Sequence, residues 1–199
     1  MSGLAVLIAA AGGSSRMRGR DKLLEPVGGM PILRRVALAA LGLGAPVLVT
    51  LPEGRPARRA ALDGLDRLSL AHVTDASEGM AASLRAGAGW AGALEARGLM
   101  ILLADMPEID LGDLKTMEAA FGRDPRKAYR AEDAGGTAGH PVIFPARLFA
   151  RLAHLKGDTG AREVLREEKV TRVALPARHA TTDLDTPEAW AAWRLKTGL

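Results

Sequence analysis

The sequence predicts an α/β fold, with a mostly parallel sheet and helices on both faces. Two observations carry the prediction. Residues 4–9, 46–51, 70–74 and 99–104 are short, largely apolar runs. They lack the strict polar alternation of a half-exposed strand, as expected where a strand is covered on both sides. Each is followed by a stretch of helical character, and strands alternating with helices build a parallel sheet. The expected architecture has three layers and is Rossmann-like.

In chain order, the first strand opens into a Gly/Ser-rich turn, and Pro and Gly residues between Leu23 and Pro31 mark a loop. A helix runs from Ile32 to about Leu43, its apolar face made of Leu33, Val36, Leu38, Ala40 and Leu41, and Gly44 and Pro46 stop it. Residues 56–66 read as a short arginine-studded helix. Residues 75–83 read as a loop, with Ser77 as cap, entering an alanine-rich helix that ends near Arg97. Residues 111–121 form another helix. The rhythm then breaks: residues 123–139 are polar without a clear period. A short strand at 141–144 and helices at 145–155 and 158–168 follow, the second capped by Asp158. The chain closes with a strand at 170–175, a loop at 183–186 and a helix opened by Pro187 and ending near Lys196. With no internal repeat and no low-complexity linker, residues 1–199 are expected to form one domain.

Composition narrows the function classes. At 199 residues and 48% hydrophobic the chain can bury a full core, and with 4% aromatics that core must be aliphatic. The net charge of +4 suits a small polyanionic ligand. The basic residues are scattered, with no basic tail and no aromatic-interleaved patch, so no nucleic-acid partner is expected. The absence of cysteine excludes disulfides, thiolate metal sites and cysteine nucleophiles, and fits a cytoplasmic protein. No apolar run approaches the ~20 residues of a membrane span. The first apolar run has no basic residue ahead of it, so it reads as a strand rather than a targeting segment.

The chemistry concentrates in Ala10-Ala-Gly-Gly-Ser-Ser-Arg-Met-Arg-Gly-Arg-Asp-Lys22. Gly12 and Gly13 permit close backbone approach to a ligand, and turn N–H groups can cradle an anion. Arg16 adds a fork of donors and Lys22 a point charge. The stretch is neither a P-loop, which needs Gly-Lys-Ser/Thr, nor a G-x-G-x-x-G dinucleotide turn. A triphosphate is the ligand that suits it. Asp105 follows an apolar strand and precedes Met106-Pro107. It therefore falls at the carboxyl edge of the sheet, where open α/β folds bind ligands, on the same edge as the first loop. A carboxylate beside a triphosphate is how proteins hold Mg²⁺. Asp183-Leu-Asp-Thr-Pro187 offers a second acid, and it is also an ordinary helix start with Thr186 as cap.

These residues resemble a known family. The pattern apolar-Ala-Ala-Gly-x-x-x-Arg-Met-x-x-x-x-Lys, the Asp105-Met-Pro run and Asp-x-Asp-Thr-Pro are similar to motifs of nucleotidyltransferases that activate sugars or cofactors with an NTP. Glu78-Gly-Met-Ala-Ala-Ser-Leu84, Gly139-His-Pro-Val142 and Gly157-Asp-Thr-Gly-Ala-Arg162 narrow the likeness to the molybdenum cofactor cytidylyltransferase family. The resemblance covers residues 4 to about 190. It implies Mg²⁺-dependent transfer of CMP from CTP to molybdenum-bound molybdopterin, serving a molybdenum hydroxylase client. The N-terminal half would bind the NTP through Ala10, Ala11, Gly12, Gly13, Ser14, Arg16, Lys22, Gly79 and Ser83. Arg16, Lys22 and Asp105 would be catalytic, with Asp105 and Asp185 (or Asp183) on the metal. The C-terminal half would bind the acceptor through His140 and Arg162, the latter pairing with a phosphate. Ala10-Ala-Gly12 and Glu78-Gly-Met depart from the guanylyltransferase pattern, which implies a cytidylyl donor. Alternatives are guanylyl transfer, a sugar- or polyol-phosphate acceptor, or a cofactor carrier without chemistry.

Overall fold

The computed structural model describes residues 3–74, 80–156 and 161–199. A seven-stranded sheet organises them. Its strands are β1 (Leu4–Ala9), β4 (Val47–Pro52), β5 (Leu68–Val73), β6 (Gly98–Leu103), β7 (Tyr129–Glu132), β8 (Ala138–Pro145) and β9 (Thr171–Ala174), in the spatial order β5-β4-β1-β6-β8-β7-β9. Strands β2 (Pro26–Val27) and β3 (Met30–Pro31) form a separate two-stranded ribbon. Neighbours pair in parallel from β5 to β6 and again between β7 and β9, while β8 alone runs antiparallel to its neighbours β6 and β7. The mostly parallel sheet expected from the continuous apolar runs is present.

Helices cover both faces. Against one face lie α1 (Ile32–Leu41), α4 (Leu111–Arg123) and α7 (Pro187–Thr197), in a core that takes Val6 and Ile8 from β1, Leu33, Val36, Phe121, Trp190 and Trp193. Against the other lie α3 (Met80–Ala93), α5 (Phe149–Ala153) and α6 (Ala161–Arg166), packed on Ala5, Leu7, Leu99 and Ile101. Adjacent β1 residues thus feed opposite layers, as strand geometry requires. The short helix α2 (Pro56–Ala60) lies between β4 and β5. Packing here is close enough to demand glycine: a Cβ on Gly87 would lie 2.6 Å from Leu7, and one on Gly98 would lie 2.3 Å from the Phe121 ring.

Several expectations change, the ribbon of β2 and β3 within the expected loop at 23–31 among them. The arginine-studded helix at 56–66 is shorter, ending at Ala60. The expected loop at 123–139 contains β7, a strand whose buried face, Tyr129 and Ala131, is masked by the charged alternate residues Arg130 and Glu132. The strand at 141–144 extends back to Ala138, which pairs with Glu132 beyond an irregularity in the ladder, while the His140 N–H donates to Ala180 O at 2.9 Å. The expected caps Ser77 and Asp158 lie outside the described residues. Thr186 does cap α7: its hydroxyl accepts from the Ala189 N–H at 3.2 Å, with Pro187 in the first turn.

Candidate active site

The carboxyl ends of β1 and β6 are adjacent, so the loops leaving them share one edge of the sheet. The first loop starts from buried Ala10 and Ala11, and the Ala10 N–H donates to Thr50 O at 3.1 Å. Gly12 and Gly13 face open space: a Cβ on either would meet nothing within 4 Å, and neither has a positive φ. Their smallness leaves room above the loop. The left-handed bend falls instead on Ser14, at φ 55°, and on Arg18 and Gly19 further along.

Three residues outside the expected set, Arg58, Asp21 and Arg55, hold that bend. Arg58, from α2, is fully buried. Its Nη1 donates to Ala10 O at 2.6 Å and its Nη2 to Ser14 Oγ at 3.1 Å. Its Nε and Nη2 form a bidentate fork with the Asp21 carboxylate at 2.7 and 2.9 Å. Asp21 also accepts from the Ser14 hydroxyl and the Leu23 N–H. Burial works against ionised Asp21, but Arg58 outweighs it and holds the carboxyl below its usual range. Arg55 adds a bond from Nη2 to Gly13 O at 3.1 Å. The only sequence signal for this device was arginine density in residues 55–59, on an element with no apparent link to the first loop.

Lys22 reaches across the edge from this loop. Its ammonium donates to Asp105 Oδ2 and, at 2.6 Å, to Asp185 Oδ1. Arg16 Nη2 pairs with the other Asp185 oxygen at 2.5 Å. Burial of Lys22 disfavours its charge, but the two carboxylates outweigh this and hold its pKa above the ordinary value. Backbone contacts fix the two acids relative to each other: the Leu184 N–H donates to Asp105 O at 3.3 Å, and Trp190 Nε1–H donates to Leu184 O at 3.1 Å. Leu184 is buried and Asp183 exposed, and it is Asp185 that is brought to Lys22. A cavity of about 170 Å³ opens beside this cluster, lined by Ala11, Gly12, Lys22, Met80, Ser83 and Asp105 among others. Ser83 is buried, accepting from the Thr50 hydroxyl at 2.9 Å.

The remaining expected residues are dispersed. Gly79 lies outside the described residues. His140, on β8, sits near the Asp105 edge, where burial and the charge of Arg130 push its pKa down to about 4 against the pull of Asp105. Arg162 lies on α6 in a different pocket, with Arg130, Arg166 and Arg172. Among the described residues no helix is long and apolar enough to cross a membrane.

Residues 6–173 match the family model described as the MobA-like NTP transferase domain. The chain belongs to the MobA-like NTP transferase family. It is a nucleotidyltransferase in family and fold. Curated relatives include molybdenum cofactor guanylyltransferase of Cereibacter sphaeroides, 31% identical over 92% of this chain and 91% of the relative. The purine catabolism protein PucB of Bacillus subtilis is 31% identical over 62% of this chain, and the match spans 60% of that relative's length. Among solved structures, the homologue of Mycobacterium tuberculosis Rv0371c from Mycobacterium sp. strain JC1 superposes with a TM-score of 0.83 at 27% identity, covering 98% of this chain and 96% of that one. The expected cytidylyl specificity is not reflected in the names of these relatives.

Proposed function

We propose that the chain transfers CMP from CTP to the phosphate of a molybdopterin-type acceptor and releases pyrophosphate, supplying a molybdenum hydroxylase with its dinucleotide cofactor. The observation that carries nucleotidyl transfer is Lys22, held between Asp105 and Asp185 at the mouth of the first loop. An acceptor phosphate oxygen forms a bond to the α-phosphorus while the bond from that phosphorus to the bridging α,β-oxygen breaks. Neither step needs a covalent enzyme intermediate, so the protein contributes position and charge. Arg16 and the loop backbone hold the β- and γ-phosphates. Lys22 follows the α-phosphate as its charge redistributes. Neutral His140, beside this edge, offers a hydrogen bond to the acceptor without adding charge.

The donor set fits a divalent cation. Asp105 and Asp185 already share one cationic group, the Lys22 ammonium. Among the described residues no group of three or more His, Asp or Glu side chains converges, so Asp105 and Asp185 would hold the ion and leave its remaining positions to phosphate and water, which is the habit of Mg²⁺. When bound there, the ion neutralises charge on the transferring phosphates. A solved structure of Rv0371c from Mycobacterium tuberculosis is a complex with manganese, and its likeness to this chain is one of fold.

The choice of CTP rests on Ala11. Its methyl group is buried against Val73 and Ala82, at the position where the guanylyltransferase pattern has glycine. GTP is the second reading, favoured by whole-length relatives named guanylyltransferases in Cereibacter sphaeroides and Pseudomonas aeruginosa. Pyrophosphate release with Mg²⁺ and each of CTP, GTP, ATP and UTP, with and without molybdopterin acceptor, tests both. Acceptor-dependent release with CTP alone is expected. Preference for GTP replaces the donor. Release only with a sugar or polyol phosphate replaces the acceptor. No release with any pair, despite tight pterin binding, replaces the enzyme with a carrier.

A further inference from the structure

On the far side of β8 the sheet carries a second concentration of positive charge. Arg130 on β7 and Arg172 on β9 are directly paired in the parallel ladder, so both side chains leave the same face. Arg162 and Arg166 lie one helical turn apart on α6, which covers that face. The four line one cavity of about 480 Å³, together with Leu165, Glu168 and Val170. Glu168 does not neutralise them, because both its oxygens are taken by the Arg147 fork. Among the described residues none of the four arginines has a carboxylate within ion-pair distance. Arg130 is half-buried and anchored, its Nε donating to Gly139 O at 3.0 Å and its Nη2 to Ala138 O at 3.4 Å. Burial, then the charges of Arg172 and Arg162, disfavour its protonated form. Gathering like charges around a cavity without counterions is unfavourable, and an anion is what relieves it.

We propose that this cavity is a binding site for a phosphate group, separate from the place where the nucleotide reacts. Concavity and the fixed orientation of Arg130 favour a small multiply charged oxyanion, since guanidinium groups converging from two elements match phosphate oxygens bidentately. The separation follows from the ladder. Arg130 is level with Val142, and Val142 with Ile101, four positions before Asp105. Strand rise and strand spacing put the Arg130 and Asp105 backbones roughly 16 Å apart. This cavity shares no lining residue with the one beside Lys22 and Asp105, so a phosphate held here is bound apart from the reacting one. Arg162 accordingly serves this second site. Two sources supply the same chemistry: another anionic group on the acceptor, or a free phosphorylated effector.

The test titrates the full chain with inorganic phosphate in EDTA by calorimetry. Lys22→Met serves as background, to weaken anion binding at the first loop. Saturable binding that persists in Lys22→Met is expected. It should weaken roughly tenfold or more in Arg166→Ser/Arg172→Ser, where two exposed donors are lost and the melting temperature serves as a folding control. Absence of saturable binding in Lys22→Met, or undiminished binding in the double serine variant, overturns the proposal. Binding of an extended polyanion without saturable phosphate binding also overturns it, in favour of a macromolecular face. None of these arms needs turnover, so they stand whether or not the proposed reaction does. Kinetics then separate the sources. A raised acceptor KM with unchanged NTP KM in the double serine variant assigns the site to the acceptor. Unchanged KM values, with phosphate altering kcat in the wild type only, assign it to an effector.

Discussion

Arg58 offers the most discriminating perturbation. Arg58→Met keeps most of the buried stem and removes the guanidinium. Four bonds are lost at once: two to Asp21, one to the Ala10 carbonyl and one to the Ser14 hydroxyl. Asp21, with only 9% of its side chain exposed, is left with the half-exposed Arg55, at 3.5 Å, as its cation. Removing one partner of a buried ion pair costs about 3–5 kcal/mol. Asp21 keeps bonds from Ser14 and Leu23, so about 3 kcal/mol is the better figure. For a chain of this size that lowers Tm by roughly 6–12 °C. Adding Asp21→Asn removes the stranded charge, and the double variant should regain about 2 kcal/mol over the sum of the single costs. Urea unfolding of the four members of the cycle measures this. Turnover should report the same device: with Ser14 and Ala10 unanchored, kcat/KM for the NTP falls roughly a hundredfold, and Arg58→Lys, which keeps the charge but not the fork, recovers part of it. Strict additivity in the cycle, or a Tm unchanged by Arg58→Met, would refute the assignment of Arg58 as the anchor of the loop.

Other outcomes follow from the same geometry. Asp105→Asn and Asp185→Asn should each lower kcat by about a hundredfold or more while leaving the protein folded, checked by pyrophosphate release and circular dichroism. Lys22→Met should abolish turnover yet strengthen Mn²⁺ binding in the absence of nucleotide, read by electron paramagnetic resonance, because the two carboxylates lose their internal cation. His140 has a folded pKa of about 4 against an ordinary value of 6.5. The unfolded chain therefore takes up its proton first as pH falls. The contribution is complete above pH 6.5 and is lost progressively towards pH 4, by up to about 3 kcal/mol. His140→Gln should flatten the urea midpoint across that window. Gly139→Ala would put a Cβ 1.7 Å from the Ala180 carbonyl oxygen, a backbone atom that cannot swing away. A loss of about 3 kcal/mol or more is expected by urea unfolding.

The centre of the sheet was legible because β1, β4 and β6 are covered on both faces, which writes an unbroken apolar run into the chain. Strand β7 was not, because it alternates: Arg130 and Glu132 interrupt the signal while Tyr129 and Ala131 fill the core. The first loop, Asp105 and Asp185 were legible because local chain chemistry marks each, and parallel topology alone predicts that loops after β1 and β6 meet. Arg58 was not, since nothing local distinguishes a fully buried arginine from exposed Arg59 beside it. Its partners lie 37 and 48 positions away, and only the folded chain makes them neighbours. The arginine cavity escaped for the same reason, being assembled from β7, α6 and β9.

Charge balance links the two sites. Every cation of the first loop already has a carboxylate: Arg16 has Asp185, Arg18 has Glu188, Arg20 has Glu25, and Lys22 has Asp105 and Asp185. The basic loop so conspicuous in the sequence is therefore internally compensated and offers little surplus charge to a triphosphate. Two routes supply it. The exposed pairs of Arg16 and Arg18 exchange partners cheaply, since surface ion pairs contribute about 1 kcal/mol or less. Lys22 is buried between its acids and is released at lower cost if a divalent cation takes its place on them, which is a physical reason for a metal to accompany the nucleotide. The cavity between β7, β9 and α6 is the opposite case: among the described residues its arginines have no carboxylate to exchange, so an anion entering it gains their attraction without first breaking an ion pair.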